Sequence, residues 1–235
     1  VGRPFEGRGA PAAAVVVVVW QGGPVELLPA GHPDLAPSAD PSRSAARVET
    51  ARLDTAAPRR DRERILSLLA DHGAALADRR TAPGHLTGSA LVVDAALSRV
   101  LLLLHAKLGR WLQPGGHADG DHELAGVALR EASEETGIEG LSVLVPAVDV
   151  DIHTVDHGDA LGEHLHLDVR FVVVAPDGAV EHGNHESLAL RWVAPDEVGA
   201  LCHDDGIVRL VAAARAASGE WEGGRPEVPG PGPRG

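Results

Sequence analysis

The chain has one cysteine, Cys202, one lysine, Lys107, and neither methionine nor tyrosine among its 235 residues. A lone cysteine excludes an intrachain disulfide and a cysteine-rich zinc site. The shortage of lysine, set beside abundant Ala, Gly, Pro and Val, speaks of GC-rich codons rather than of chemistry. Positive charge is also in short supply: the formal net charge of −13 argues against nonspecific binding to nucleic acid or to an anionic membrane, both of which need a basic excess. No apolar run is long. The longest, Ala12 to Trp20, is about half of what a membrane span requires and reads as a short buried strand. A signal peptide is the alternative, with Arg3 and Arg8 ahead of the run, but no small-residue cleavage site follows. No internal repeat is visible.

What is present is enough for one substantial core. With 44% hydrophobic and 23% charged residues, a chain of this length has enough to bury one core, with room for an appended element. Residues 1–58 are rich in Ala, Pro and Gly without a sustained period and read as a poorly ordered extension. Residues 59–83 carry Ile65, Leu68, Leu69 and Leu76 at helical spacing, an amphipathic helix packed on the domain. Residues 84–217 form the main domain. Residues 218–235, dominated by Gly, Pro and Glu, read as a disordered tail.

The densest chemistry lies in GGHADGDHELAGVALREASEETGI, residues 115–138. Asp121 is a good N-cap and Gly137 a natural stop, so about four helical turns are expected between them. Glu131, Glu134 and Glu135 then fall within an arc of about 100°. Leu124, Val127 and Ala128 lie on the same arc one or two turns earlier, so the acidic cluster continues a packed stripe. Like charges at this spacing repel, and partial burial makes the repulsion worse unless a cation is present. Arg130 can neutralise one carboxylate. Crowded hard oxygen ligands on a rigid element suit Mg2+ or Mn2+, and Gly115 and Gly116 let backbone approach metal or phosphate closely. The competing reading is an ordinary solvated, Glu-rich helix face.

The whole string resembles the Nudix hydrolase signature. Gly116, Arg130, Glu131, Ala132, Glu134, Glu135, Gly137 and Ile138 occupy its positions, and His122 stands where the family has its first glutamate. Glu123 cannot replace it directly, because one helical residue turns the side chain by about 100°. The resemblance implies an α+β fold, an α/β/α sandwich with a mixed β-sheet, and hydrolysis of a nucleoside diphosphate linked to another moiety. It implies Glu131 and Glu135 as main metal ligands, Glu134 as a further or water-mediated one, the Gly116 carbonyl as another, and Arg130 as the group that orients the glutamates. The first glutamate has a supporting role, so His122 bears on metal affinity or rate more than on reaction type. The general base is either a glutamate of the signature or one from a later loop. Glu186 is the loop candidate, with a surface charge as its alternative reading.

Other residues complete the expected site. Lys107 and Arg110 are candidate phosphate contacts, and Trp111 either stacks a base or belongs to the core. Two segments alternate strictly, with Asp149, Asp151 and His153 on one side of the first and His164, His166, Asp168 and Arg170 on one side of the second. They read as antiparallel neighbours whose polar face lines the substrate cleft, or as an exposed sheet face with solvated histidines. A third reading gives His153, His164, His166 and Asp168 to zinc or another transition metal. Arg191 to Val193 reads as a last strand, followed by helices near Asp196 and from Gly206 to Ala217.

The sequence thus points to a metal-dependent pyrophosphohydrolase using Mg2+ or Mn2+ on a small nucleotide or related pyrophosphate, without nucleic-acid or membrane partners and cytoplasmic in location. A homodimer is the assembly the resemblance suggests. The competing classes are a nucleotide sensor weakened in catalysis by His122, and a histidine-rich transition-metal binder.

Overall fold

A computed structural model describes residues 16–20, 23–96, 98–156 and 162–218. Nine strands make one mixed sheet: β1 (Val16–Trp20), β2 (Gly23–Pro29), β3 (Gly84–Val93), β4 (Val100–His105), β5 (Trp111–Leu112), β6 (Gly115–His117), β7 (Ser142–Asp156), β8 (Glu163–Val174) and β9 (Ser187–Val193). The order is β1-β2-β7-β8-β3-β4-β5, with β6 also on β3 and β9 on β4. Among the described residues only the pairing of β3 with β8 is parallel; the others are antiparallel. The expected antiparallel pairing of the two alternating segments is present as β7 and β8, with His153 opposite His166 and Asp151 opposite Asp168.

Side-chain alternation divides the sheet into two unlike faces. Leu86, Ala90, Val92, Leu167, Val169, Phe171 and Val173 join α1 (Pro41–Glu49), α2 (Ala56–His72) and α3 (Leu124–Thr136) in one apolar core. On the other face Leu91, Val93, Val172, Val174 and Leu144 pack with α4 (Val198–Cys202) and α5 (Asp205–Ser218). Helices on both faces of a mixed sheet make the α/β/α sandwich expected from the sequence.

Residues 23–58 correct the reading of that region as a poorly ordered extension. Leu27, Leu28 and Val48 are buried, β2 pairs with β7 from Glu26 to Pro29, and α1 begins with Pro41 under an Asp40 cap whose carboxylate accepts the Ser42 N–H at 2.9 Å. Composition concealed this because α1 spends its charge on a buried partner. Arg43 and Arg47 each lie 2.7 Å from the buried Glu123 carboxylate. The next helix also differs in extent: α2 ends at His72, and a 3-10 turn, Gly73–Ala77, carries buried Leu76 into the core. The expected tail from 219 onward, residues 1–15 and the centre of the β7–β8 connection lie outside the described residues.

Candidate active site

The acidic helix forms much as its spacing requires, but its start is displaced. Asp121 is not its N-cap. Its Oδ1 accepts N–H bonds from Ser38 at 3.0 Å and Glu123 at 2.9 Å, and the helix begins at Leu124. The carboxylate is thus used to tie the chain before α1 to the turn before α3. Gly137 does end the helix, in the left-handed region at φ 64°, with its N–H on the Ser133 carbonyl. A side chain there would also strike the His182 carbonyl, so this glycine admits the loop that follows β8.

The three glutamates differ sharply in environment. Glu134 is exposed, Glu131 is half-buried and Glu135 is buried. Glu135 Oε2 accepts the Gly115 N–H at 2.9 Å. Glu131 lies against Gly116 so closely that a Cβ at position 116 would collide with its carboxylate. Arg130 donates to Glu131 Oε1 at 3.1 Å and to the His117 carbonyl, and its other nitrogen is 3.6 Å from Asp121. Burial pushes the Glu135 carboxyl up to about 8, and the charges of Glu131, Glu186 and Glu134 add to the rise against the Gly115 hydrogen bond. Burial also raises Glu131, with Arg130 opposing and Glu134 and Glu186 reinforcing.

Glu186 therefore belongs to this electrostatic group. Its loop is pinned to the end of α3: His182 N–H donates to the Thr136 carbonyl at 2.6 Å, and Asn184 Nδ2 donates to the Glu134 carbonyl at 3.1 Å. Asn184 Oδ1 in turn accepts the Glu186 N–H at 2.8 Å. The Glu186 side chain stays half-exposed. A buried carboxylate that is costly to ionise, a second against a glycine strand and two more within electrostatic range form a set that gains from a hard dication. The donor chemistry fits Mg2+ or Mn2+.

His122 does not join this set. It is fully buried, with Nδ1 2.9 Å from Ser44 Oγ and Nε2 3.2 Å from the Ala74 carbonyl. It joins α1, the turn after α2 and the start of α3. Its ring nitrogens are both occupied by fold contacts, so position 122 does not supply the carboxylate that the family signature has there.

The other face of the sheet carries three polar rows across β3, β8 and β7. His85 faces His166 and His153; Thr87 faces Asp168 and Asp151; Ser89 faces Arg170 and Asp149. Arg170 is only 4% exposed. It donates to Asp168 at 2.7 Å, to Asp149 at 3.1 Å, to Asp151 at 2.9 Å and to the Gly206 carbonyl at 3.3 Å. The expectation of a substrate contact is replaced by an internal ion cluster. Arg209 on α5 completes it, 2.7 Å from Asp151 and 3.1 Å from Asp149. Thr87 and Ser89 hydroxyls donate to Asp168, both at 2.9 Å. Despite burial, Asp151 is held well below the usual carboxylate range by His153 and both arginines. His153 is raised, its burial outweighed by the Asp151 hydrogen bond and Asp168. Arg209, His85 and His117 were missed in the sequence. Period-two alternation of His85, Thr87 and Ser89 was the available signal for the first of the two histidines.

Lys107 is exposed at the β4–β5 turn, Arg110 is exposed and paired with Asp204 at 3.0 Å, and Trp111 is half-buried against the α4/α5 core. His164 and His166 are half-buried in a group of imidazoles with His85.

The NUDIX domain family matches residues 85–213, more than half of the chain. The chain belongs to the Nudix hydrolase family. Its members act on nucleoside diphosphates linked to a further moiety, which makes this chain a pyrophosphohydrolase. A MutT-like protein of Streptomyces ambofaciens is 32% identical over 135 residues, covering 57% of this chain and 80% of the relative. Among solved structures, a C. elegans Ap4A hydrolase complex is 16% identical with TM-score 0.49, covering 56% of this chain and 95% of its own. A Nudix hydrolase from Clostridium perfringens is 22% identical with TM-score 0.42, covering 57% and 96%. Among the described residues, no helix of this Nudix chain is long and apolar enough to cross a membrane.

Proposed function

We propose that this Nudix enzyme hydrolyses the pyrophosphate link of a nucleoside diphosphate-X substrate with Mg2+ or Mn2+ held by Glu131, Glu134, Glu135 and the Gly116 carbonyl. The reading is carried by one observation: Glu135, buried and raised to about 8, sits on the Gly115 N–H beside Glu131. Such a pair is unfavourable as two anions without a cation. When bound, the metal supplies polarisation of phosphoryl oxygens and acidification of water. The chain supplies the rest. Arg130 holds Glu131 in place and offsets its charge. Glu186 is close enough to raise both buried glutamates yet exposed enough to meet solvent, which suits a base that takes a proton from the attacking water. Lys107 and Arg110 are the exposed cations offered to substrate phosphates, Arg110 after leaving Asp204. Trp111 contributes to the wall between them and the core.

The sensor alternative rests on the glutamate absent from position 122, which His122, held in fold contacts, does not replace; the intact set of Glu131, Glu134 and Glu135 favours turnover. The test is release of phosphate or nucleotide from a panel of nucleoside triphosphates, nucleotide sugars, dinucleoside polyphosphates and dinucleotide cofactors, with Mg2+ or Mn2+. Release that depends on metal and collapses in Glu135→Gln supports the reading. Tight nucleotide binding with no release from any compound overturns it.

A further inference from the structure

Five histidines converge on the polar face of the sheet, and the hydrolytic reading uses them for no step. His85 on β3 is fully buried. Its ring centroid is 5.0 Å from His117, 4.8 Å from His164 and 4.8 Å from His166. His153 lies 5.4 Å from His166 in the same terms. Three of the five come closer still: one ring nitrogen from each of His85, His164 and His166 lies within 4.8 Å of the other two. We propose that His85, His164 and His166 form a site for one borderline-soft transition-metal dication, of which Zn2+ is the representative probe.

The geometry asks little of the chain. Tetrahedral zinc with bonds of about 2.0–2.1 Å holds its nitrogen ligands roughly 3.3 Å apart, so rotation of imidazole rings closes the set. Its backbone framework is rigid, since β3 and β8 pair in unbroken parallel register from Gly84 to Val93, with His85 directly opposite His166. His164 stands two residues before His166 on the same strand face. Three neutral imidazoles leave the fourth position of the ion to solvent or to an incoming donor, the arrangement of an open zinc site.

Chemistry separates this site from the carboxylates. Nitrogen donors favour zinc, copper or nickel, whereas the glutamate oxygens favour magnesium or manganese. Topology separates them too. On β6, Gly116 is turned toward Glu131, while the next residue, His117, is turned through the strand to the rings of His85 and His166. One residue of backbone thus divides two sites of different metal preference.

The experiment uses the full chain, stripped with EDTA and returned to buffer with excess Mg2+ to fill the carboxylate site. Zn2+ is titrated by calorimetry, and zinc per chain is measured after desalting. Co2+ titration gives the intense visible bands of a tetrahedral site. The native protein and Glu135→Gln are expected to retain one equivalent of zinc. His164→Ala and His166→Ala are expected to bind it at least tenfold more weakly and to lose the cobalt spectrum. Circular dichroism checks that each variant is folded; because His164 is half-exposed, His164→Asn serves as the conservative second variant. Zinc affinity unchanged in folded His164 variants, or zinc lost in Glu135→Gln and kept in the histidine variants, overturns the proposal.

Discussion

Glu135 and Arg170 are both ionisable groups in the interior, and their partners set opposite expectations for them. Glu135 has one backbone N–H and several carboxylates nearby. Replacing it by Gln removes the repulsion and the proposed ligand together. Activity is therefore expected to fall by about 10²-fold or more, measured as kcat in excess Mg2+, while the metal-free protein becomes no less stable. Arg170 has three aspartates and no spare nitrogen. Arg170→Met leaves Asp149 and Asp151 with Arg209 as their one arginine and Asp168 with no arginine, only the Thr87 and Ser89 hydroxyls, and the loss of a partner in a buried ion cluster costs about 3–5 kcal/mol, read by urea denaturation. A loss below about 1 kcal/mol would show that the cluster is not held together by this residue. At this scale the sequence was informative about which carboxylates crowd together, since spacing on a helix fixes their arc. It was misleading about Arg170. Alternation tells which side of a strand a residue faces, not whether an arginine from a helix forty residues away will arrive beside it.

The elements were legible wherever a period was strong. The alternating pair β7 and β8 and the stop at Gly137 follow from pattern and local chemistry. The segment before Ala56 was not legible, because α1 has few apolar residues and its contribution depends on pairing with Glu123, a residue distant in sequence. His122 belongs to this same junction, linking α1, the turn after α2 and α3 through Ser44 and the Ala74 carbonyl. Restoring the family residue with His122→Glu is accordingly expected to bring no gain in rate. It puts a carboxylate opposite a carbonyl in a site with no solvent, at a cost of at least about 2 kcal/mol. Thermal unfolding together with kcat checks this; a faster and equally stable variant would contradict it.

Across the whole molecule, pH and metal act on the same balance. Glu135 has an ordinary value of 4.5 and is raised to about 8 on folding, so between those values the folded state binds more protons than the unfolded one. Stability must then fall as pH rises through that window. The burden is absent below about 4.5 and complete above about 8. Raised His153 works in the same direction, its stabilising contribution being present below its ordinary value of 6.5 and lost as pH climbs through its folded value. Denaturant midpoints in EDTA are expected to decline from pH 5 to pH 8, and Glu135→Gln should flatten the decline. Mg2+ should raise the midpoint more at pH 8 than at pH 5, since a ligand that binds only the folded state stabilises it by mass action. An equal effect of Mg2+ at both pH values would separate the ion from the Glu135 carboxylate.

The salt bridges from α1 to Glu123 also bear on how the protein can be cut. The family match begins at residue 85, and a fragment trimmed to residues 85–213 would seem a natural catalytic unit. That cut discards Arg43 and Arg47 and leaves Glu123 enclosed without its counter-charges. It also strips Ile65, Leu68, Leu69 and Leu76 from the core they share with α3. The first turn of the helix bearing the glutamates would lose its cover while every signature residue remained in the fragment. Such a piece should express as an aggregating protein, whereas one starting near residue 23 keeps the junction whole.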